Sequence, residues 1–286
     1  MKLTTLTIDG RERAAVGLPG GYLLTETMNG SFGKQWGESV DKILANGDIP
    51  SLQAFLREEG NKLDQLAPIP YGEAVYAPLL RTSKAVWGVG ANFREKAAEM
   101  AVTPPDGEPI CFLKPPTTLI GPGEPIRLPG LSDRVTAEAE IGIVIGRTCH
   151  RISEEEAMDA IAGFIPTLDM TAQDIHARNP RFLARAKAFD TFFSVGPYML
   201  TPDECPAAED WIIETRLNGE TAYRTDVSCM IYSIPFIVAF FSSFMTLHPG
   251  DIIMSGTPGS VALKPGDIAE CRIAGFDPLR NPVIAD

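Results

Sequence analysis

Glu138 and Glu140, in the run Thr136-Ala-Glu-Ala-Glu-Ile-Gly-Ile-Val-Ile-Gly146, carry the strongest chemical signal in this 286-residue chain. The run alternates and then turns apolar and β-branched, which reads as a strand entering a core. Residues two apart on a strand share a face. The two carboxylates therefore stand side by side, while Ala139, Ile141, Ile143 and Ile145 face the other way. Adjacent anions on such a strand repel unless a proton or a cation lies between them. A hard divalent cation with oxygen ligands answers that. The plain alternative is a strand end at the surface with both carboxylates hydrated.

A second apolar run, Ala160-Ile-Ala-Gly-Phe-Ile-Pro-Thr-Leu168, ends on Asp169. Between the two runs, Ser153 and Glu156 make a capping-box pattern ahead of Ala157 and Ile161, which predicts a helix. A strand, helix and strand with acids on both strands can bring three carboxylates to one site. Three carboxylates plus waters suit Mg²⁺ or Mn²⁺ in an octahedral shell, with Mg–O near ~2.1 Å. There is no Cys/His cluster for a zinc site.

At this point the chain resembles the fumarylacetoacetate hydrolase family. The matching stretches are Gly88-Val-Gly-Ala-Asn-Phe93, Phe112-Leu-Lys-Pro115, Glu138-Ala-Glu-Ile-Gly-Ile-Val-Ile-Gly146 and Leu168-Asp-Met-Thr-Ala172. They continue with Lys187-Ala-Phe-Asp-Thr-Phe192, Gly196-Pro197, Asn218-Gly-Glu220, Leu247-His-Pro-Gly-Asp251 and Ser255-Gly-Thr-Pro258. Their order is the family's order, over roughly residues 80 to 275. The resemblance implies an α+β fold: a β-rich roll of mixed sheets behind a small N-terminal α+β domain. It implies a divalent metal on Glu138, Glu140 and Asp169, a homodimer, and chemistry on 2-oxo or 1,3-dioxo compounds. Family members hydrolyse C–C bonds in β-diketones, decarboxylate oxo acids or tautomerise enols. In all three, a metal on two neighbouring oxygens stabilises an enolate or enediolate. Lys187 matches the family lysine that points into the site, where an ammonium stabilises negative charge or delivers a proton. Gly256 and Thr257 match a substrate-binding turn, and Phe93 and Gln173 fall at positions assigned to substrate. Without the family, Ser255–Ser260 reads as a turn cluster and a lone lysine as a solvated residue.

Three departures stand out. Many relatives carry a His four residues after the Asn of the first motif and a Glu three beyond it, a dyad that activates water or shuttles a proton. Here those positions are Lys96 and Glu99. Three apart on a helix they face each other, so they read as a surface ion pair or as an acid/base lysine with its pKa lowered by burial. Gln173 stands where many relatives have Arg, which can hold a substrate carboxylate in a bidentate pair. His176 stands where several have Gln. It reads as a relocated base or as an ordinary loop histidine. Phe192-Phe193 suit an apolar substrate face or core packing equally.

The rest of the chain sets limits. The net charge of −12 argues against nucleic acid and against an anionic membrane surface. The alternating N-terminus, Met-Lys-Leu-Thr-Thr-Leu, lacks a secretory apolar region. Cys111, Cys149, Cys205, Cys229 and Cys271 are scattered and odd in number, which points to a reducing cytoplasm. Ile231–Leu247 is apolar but interrupted by Pro235, and reads as a core or interface helix. Residues 1–75 are expected as a small separate unit, with strands at Lys2–Ile8 and Tyr22–Thr25 and helices at Val40–Ala45 and Leu52–Leu56. Residues 76–286 are expected as the catalytic domain. The leading expectation is Mg²⁺- or Mn²⁺-dependent hydrolysis of a C–C bond in a small 1,3-dicarbonyl substrate. Decarboxylation or keto–enol isomerisation of a 2-oxo acid, which needs no water nucleophile, is a second. A metal-binding protein without turnover is a third.

Overall fold

A computed structural model describes residues 1–63, 65–81, 85–99, 108–206 and 210–286. The first 63 residues form β1 (Lys2–Ile8), β2 (Arg11–Leu18), β3 (Gly21–Leu24), α1 (Thr25–Phe32), α2 (Val40–Asn46) and α3 (Ile49–Leu63). β1 and α2 fall where the alternation and the apolar spacing place them. α3 starts earlier and ends later than expected, because Pro50 is accepted in a helix's first turn. Then come β4 (Val86–Gly90), α4 (Arg94–Glu99), β5 (Ile110–Lys114), β6 (Leu119–Ile120), β7 (Ile126–Leu128) and β8 (Val135–Ile145). The predicted helix α5 (Glu154–Ala160) links β8 to β9 (Ile161–Ala172), with Ser153 N–H donating to Glu156 Oε2 at 2.9 Å. Next are α6 (Gln173–Arg178), α7 (Leu183–Lys187), β10 (Phe193–Val195), β11 (Met199–Leu200), β12 (Ile212–Leu217) and β13 (Glu220–Asp226). α8 (Ile234–Phe244), β14 (Ile252–Met254), β15 (Ser260–Ala262), β16 (Ile268–Ile273) and β17 (Leu279–Ala285) complete the chain.

Two mixed sheets carry the fold. The larger runs β3-β2-β1-β11-β9-β8-β14-β4-β5, with β10, β15 and β6 attached at its sides, and the smaller runs β13-β12-β16-β17-β7. The N-terminal strands join the larger sheet where β1 pairs with β11. Every residue of β8 and β9 is buried, so these are central strands covered on both faces. The alternating side chains of β8 enter two cores. Ala137, Ala139, Ile141 and Ile143 pack with Ile213, Ile273 and Leu279 of the smaller sheet, while Val144 packs on the other side with Ile165 and Met254. Phe192 and Phe193 are fully buried in these cores, as core packing requires. α8 is the apolar helix read from the sequence, with Ser233 Oγ accepting from Phe236 N–H at 3.2 Å. Among the described residues, no helix is long and apolar enough to cross a membrane. All five cysteines are unpaired.

In the smaller sheet, Glu270 of β16 is buried under the guanidinium groups of Arg272 and Arg280, the latter at 2.6 Å. Burial acts to raise its pKa, but the hydrogen bonds from the two arginines outweigh it and hold the carboxyl below the usual range. A lowered carboxyl pKa stabilises the fold above the unfolded value and loses that contribution as pH falls through the folded one. Glu270→Gln is therefore expected to destabilise by about 1–2 kcal/mol at pH 7, with half-exposed arginines reducing the effect. Denaturant melts should show the gap between variant and wild type closing in acid below the normal carboxylate range.

Candidate metal centre

In the β8–β9 ladder Glu138 lies directly opposite Asp169, and Glu140 follows on the same face of β8. One carboxylate oxygen from each of the three lies within 4.8 Å of the others. Glu138, Glu140 and Asp169 are only 6%, 2% and 0% exposed. That burial excludes the hydrated strand end.

A gap in the sheet brings a turn to this cluster. β14 pairs with β8 as far as Met254 opposite Gly142, and β15 resumes with Ser260 opposite Glu138. The intervening residues 255–259 outnumber the β8 residues they pass, so the chain loops away from the edge. Side-chain hydroxyls fill the interrupted ladder: Thr215 Oγ1 accepts from Ala139 N–H at 3.1 Å and Ser255 Oγ from Ile141 N–H at 3.2 Å. Gly256 N–H then donates to Glu140 Oε2 at 2.6 Å. Gly256 has φ +93°, and a Cβ there would lie 2.7 Å from Asn92 Cβ, so only glycine brings this amide to the carboxylate. Asn92 clamps the turn, its Nδ2 donating to Ser255 O at 2.7 Å and to Tyr232 O at 3.1 Å.

Three lysines face the acids. Lys187, at the end of α7, donates to Glu138 Oε2 at 2.8 Å and also to Asp169 Oδ2. Burial works against its charge, but Asp169, Glu138 and Glu140 more than offset this and raise its pKa. Lys114 is fully buried and donates to Asp169 Oδ1 and, at 3.2 Å, to Met170 O. Burial lowers its pKa to about 8 against the pull of Asp169, with Lys187 adding to the lowering. Lys96 donates to Ser260 Oγ at 3.0 Å and lies 3.8 Å from Glu138 Oε1. Glu140 is pushed well up, first by burial and then by Asp169, with Lys187 opposing. Buried carboxylates that still repel in the presence of lysines fit a hard divalent cation.

Part of this cluster lines a cavity of about 520 Å³, with Asp169 and Lys114 buried behind its wall. It gathers Lys96, Glu138, Glu140, Gln173, His176, Lys187 and Thr257 of the residues singled out from the sequence. Gln173 is fixed by its N–H donating to Arg134 O at 2.8 Å, which starts α6 and turns His176 toward the pocket. Burial lowers the His176 pKa and the Lys187 ammonium lowers it further, against Glu138. Thr257 keeps its hydroxyl within its own turn, donating to Gly259 O at 2.9 Å. Phe93 is not on the pocket wall: its side chain is fully buried in the core beside the pocket-forming loop. The side chain of Glu99 lies outside the described residues. Lys114, in the Phe112–Pro115 motif, has no role assigned by the sequence alone. Its signal is a lysine two residues from Phe112, on the inward face of a strand. A larger cavity of about 690 Å³ elsewhere, walled by Phe164, Trp211 and Met230, has no ionisable acid, lysine or histidine among its described lining and is not the site of this chemistry.

A family model, fumarylacetoacetate (FAA) hydrolase C-terminal, matches residues 85–284. The chain belongs to the fumarylacetoacetate hydrolase family. Within that family it is 33% identical over 220 residues to the mitochondrial oxaloacetate tautomerase of Xenopus laevis, covering 74% of this chain and 68% of that protein. Its fold is similar to maleylpyruvate hydrolase from Sphingobium sp. SYK-6 in complex with manganese(II) and pyruvate, with TM-score 0.81 and 26% identity over 100% of this chain and 99% of that one. It is also similar to 5-carboxymethyl-2-hydroxymuconate delta-isomerase from Mycobacterium smegmatis, with TM-score 0.77 and 28% identity over 100% and 99%. Fumarylacetoacetate hydrolase relatives of this chain thus include a tautomerase, a hydrolase and an isomerase. Membership makes the chain an enzyme of this family with an acidic triad able to hold a divalent metal.

Proposed function

We propose that this chain moves a proton between carbon and oxygen in a 2-oxo acid or related 1,3-dicarbonyl, interconverting keto and enol forms with Mg²⁺ or Mn²⁺. The observation that carries this reading is the Lys187 ammonium set against Glu138 and Asp169 in the same pocket as His176. A divalent cation on Glu138, Glu140 and Asp169 would polarise two neighbouring substrate oxygens and stabilise negative charge developing on them. Lys187, beside Glu138 and Asp169, gives a proton to the oxygen. His176, held neutral near pH 7, takes one from the adjacent carbon. Two groups whose surroundings push their pKa values apart are suited to acid and base roles. The reverse reaction returns both protons, and no water is consumed. Lys96, in the place of the family's water-activating His, is engaged with Ser260 and Glu138. The oxaloacetate tautomerase among the relatives supports the same chemistry.

C–C bond hydrolysis is the second reading. A neutral His176 would also serve to deliver water, and a maleylpyruvate hydrolase shares the fold. 2-Oxobutanoate and an acylpyruvate with an alkyl tail, each incubated with protein and Mg²⁺, separate the two. Faster keto–enol equilibration with the carbon skeleton intact supports isomerisation. Release of two shorter acids favours hydrolysis, and neither change contradicts both. In whichever reaction is found, His176→Gln is expected to lower turnover by roughly 10²-fold or more, Lys96→Ala by less. Metal affinity by calorimetry should be unchanged in His176→Gln. Equal, near-wild-type rates in the two variants would contradict the base assignment.

A further inference from the structure

We infer that the pocket selects oxo acids with an apolar, uncharged tail and rejects those whose far end carries a second carboxylate. This rests on the reading of the site above and names its substrate class. The acidic end is suited to one anionic head. Lys96, Lys114 and Lys187, paired with Glu138 and Asp169, equal the three carboxylates in number, so a divalent cation leaves an excess of positive charge there. The rest of the described wall includes Val89, Ile110, Phe112, Pro180 and Leu183, all apolar.

Phe112 is the fixed element of this wall. Its ring lies where a side chain on the neighbouring strand would be, since a Cβ on Gly88 would fall 2.1 Å from it. The Lys187 ammonium sits 4.7 Å from the ring centroid, so Phe112 marks the border between charged head and apolar tail. The cavity of about 520 Å³ has room for a chain beyond a pyruvate-sized head.

Nothing on the described wall is suited to a second carboxylate. Its lysines, Lys96 and Lys187, both lie at the acidic end, 3.8 Å and 2.8 Å from Glu138. No arginine is among the described lining residues. Gln173 offers only a neutral amide. A carboxylate moved against this wall loses hydration without gaining a cation.

The test is calorimetric binding of straight-chain 2-oxo acids to the Mg²⁺-loaded protein, paired by length with 2-oxo diacids such as 2-oxoglutarate and 2-oxoadipate. Affinity should rise by roughly fourfold per added methylene, and each diacid should bind at least about tenfold more weakly than the monoacid of its length. Gln173→Arg, which puts a guanidinium on the wall, should remove or reverse that preference. Diacids binding as tightly as monoacids in the wild type would overturn the inference while leaving the proposed function standing. Failure of every 2-oxo acid to bind would instead overturn the reading of the site, and this inference with it.

Discussion

Glu140→Gln is expected to abolish measurable Mg²⁺ and Mn²⁺ binding and, with it, turnover. The residue is one of three buried acids whose oxygens converge within 4.8 Å, and an amide oxygen replaces a charged ligand poorly. Stability gives an independent readout of opposite sign. Burial and the neighbouring Asp169 make the Glu140 anion unfavourable, the direction its raised pKa records. A carboxyl raised in the fold contributes stability below its unfolded pKa and loses it as pH rises through the folded value. At neutral pH without metal the Gln variant should therefore melt no lower than wild type. Wild type should gain about 2.7 kcal/mol when free metal reaches a hundredfold over its Kd, and the variant nothing. Unchanged affinity in the variant would remove Glu140 from the ligand set.

Lys187→Met carries the second large effect. Turnover should fall by roughly 10²–10⁴-fold, the scale of a lost proton donor. Metal binding should be retained or tightened, because the ammonium competes for Glu138 Oε2 and Asp169 Oδ2. A structural role would lower both together. Calorimetry and rates on the same preparation separate the outcomes, and a parallel loss would contradict the assignment.

The part of this centre legible in the sequence is the part set by short-range pattern. Period-two alternation places Glu138 and Glu140 on one face, and the Ser153–Glu156 box marks the helix that returns the chain to Asp169. Pro235, which interrupts the apolar run in the sequence, falls in the first turn of α8 behind the Ser233 cap. Among the strands that local pattern does not mark, two show different reasons. β2, Arg11–Leu18, begins with charged residues and ends in a glycine- and proline-rich turn, and its place is fixed by pairing with β1 and β3. β15 is too short to show a period and is defined by Ser260 meeting Glu138. Lys114 needed the sheet itself. It stands on β5, several strands along from β9, and only the curl of the sheet carries its ammonium to Asp169. Phe93 went the other way: its motif signals the loop beside the pocket, while the ring completes the core. Such placements depend on contacts between residues distant in sequence, which local pattern does not encode.

The central claim, proton transfer at the carbon beside a metal-held carbonyl, is tested most directly by hydrogen exchange. In D₂O with Mg²⁺, proton NMR of a 2-oxo acid follows loss of its C3 protons. Exchange is expected to require both protein and metal, to be lost in Glu140→Gln, and to fall steeply in Lys187→Met. Exchange no faster than with Mg²⁺ alone would contradict it.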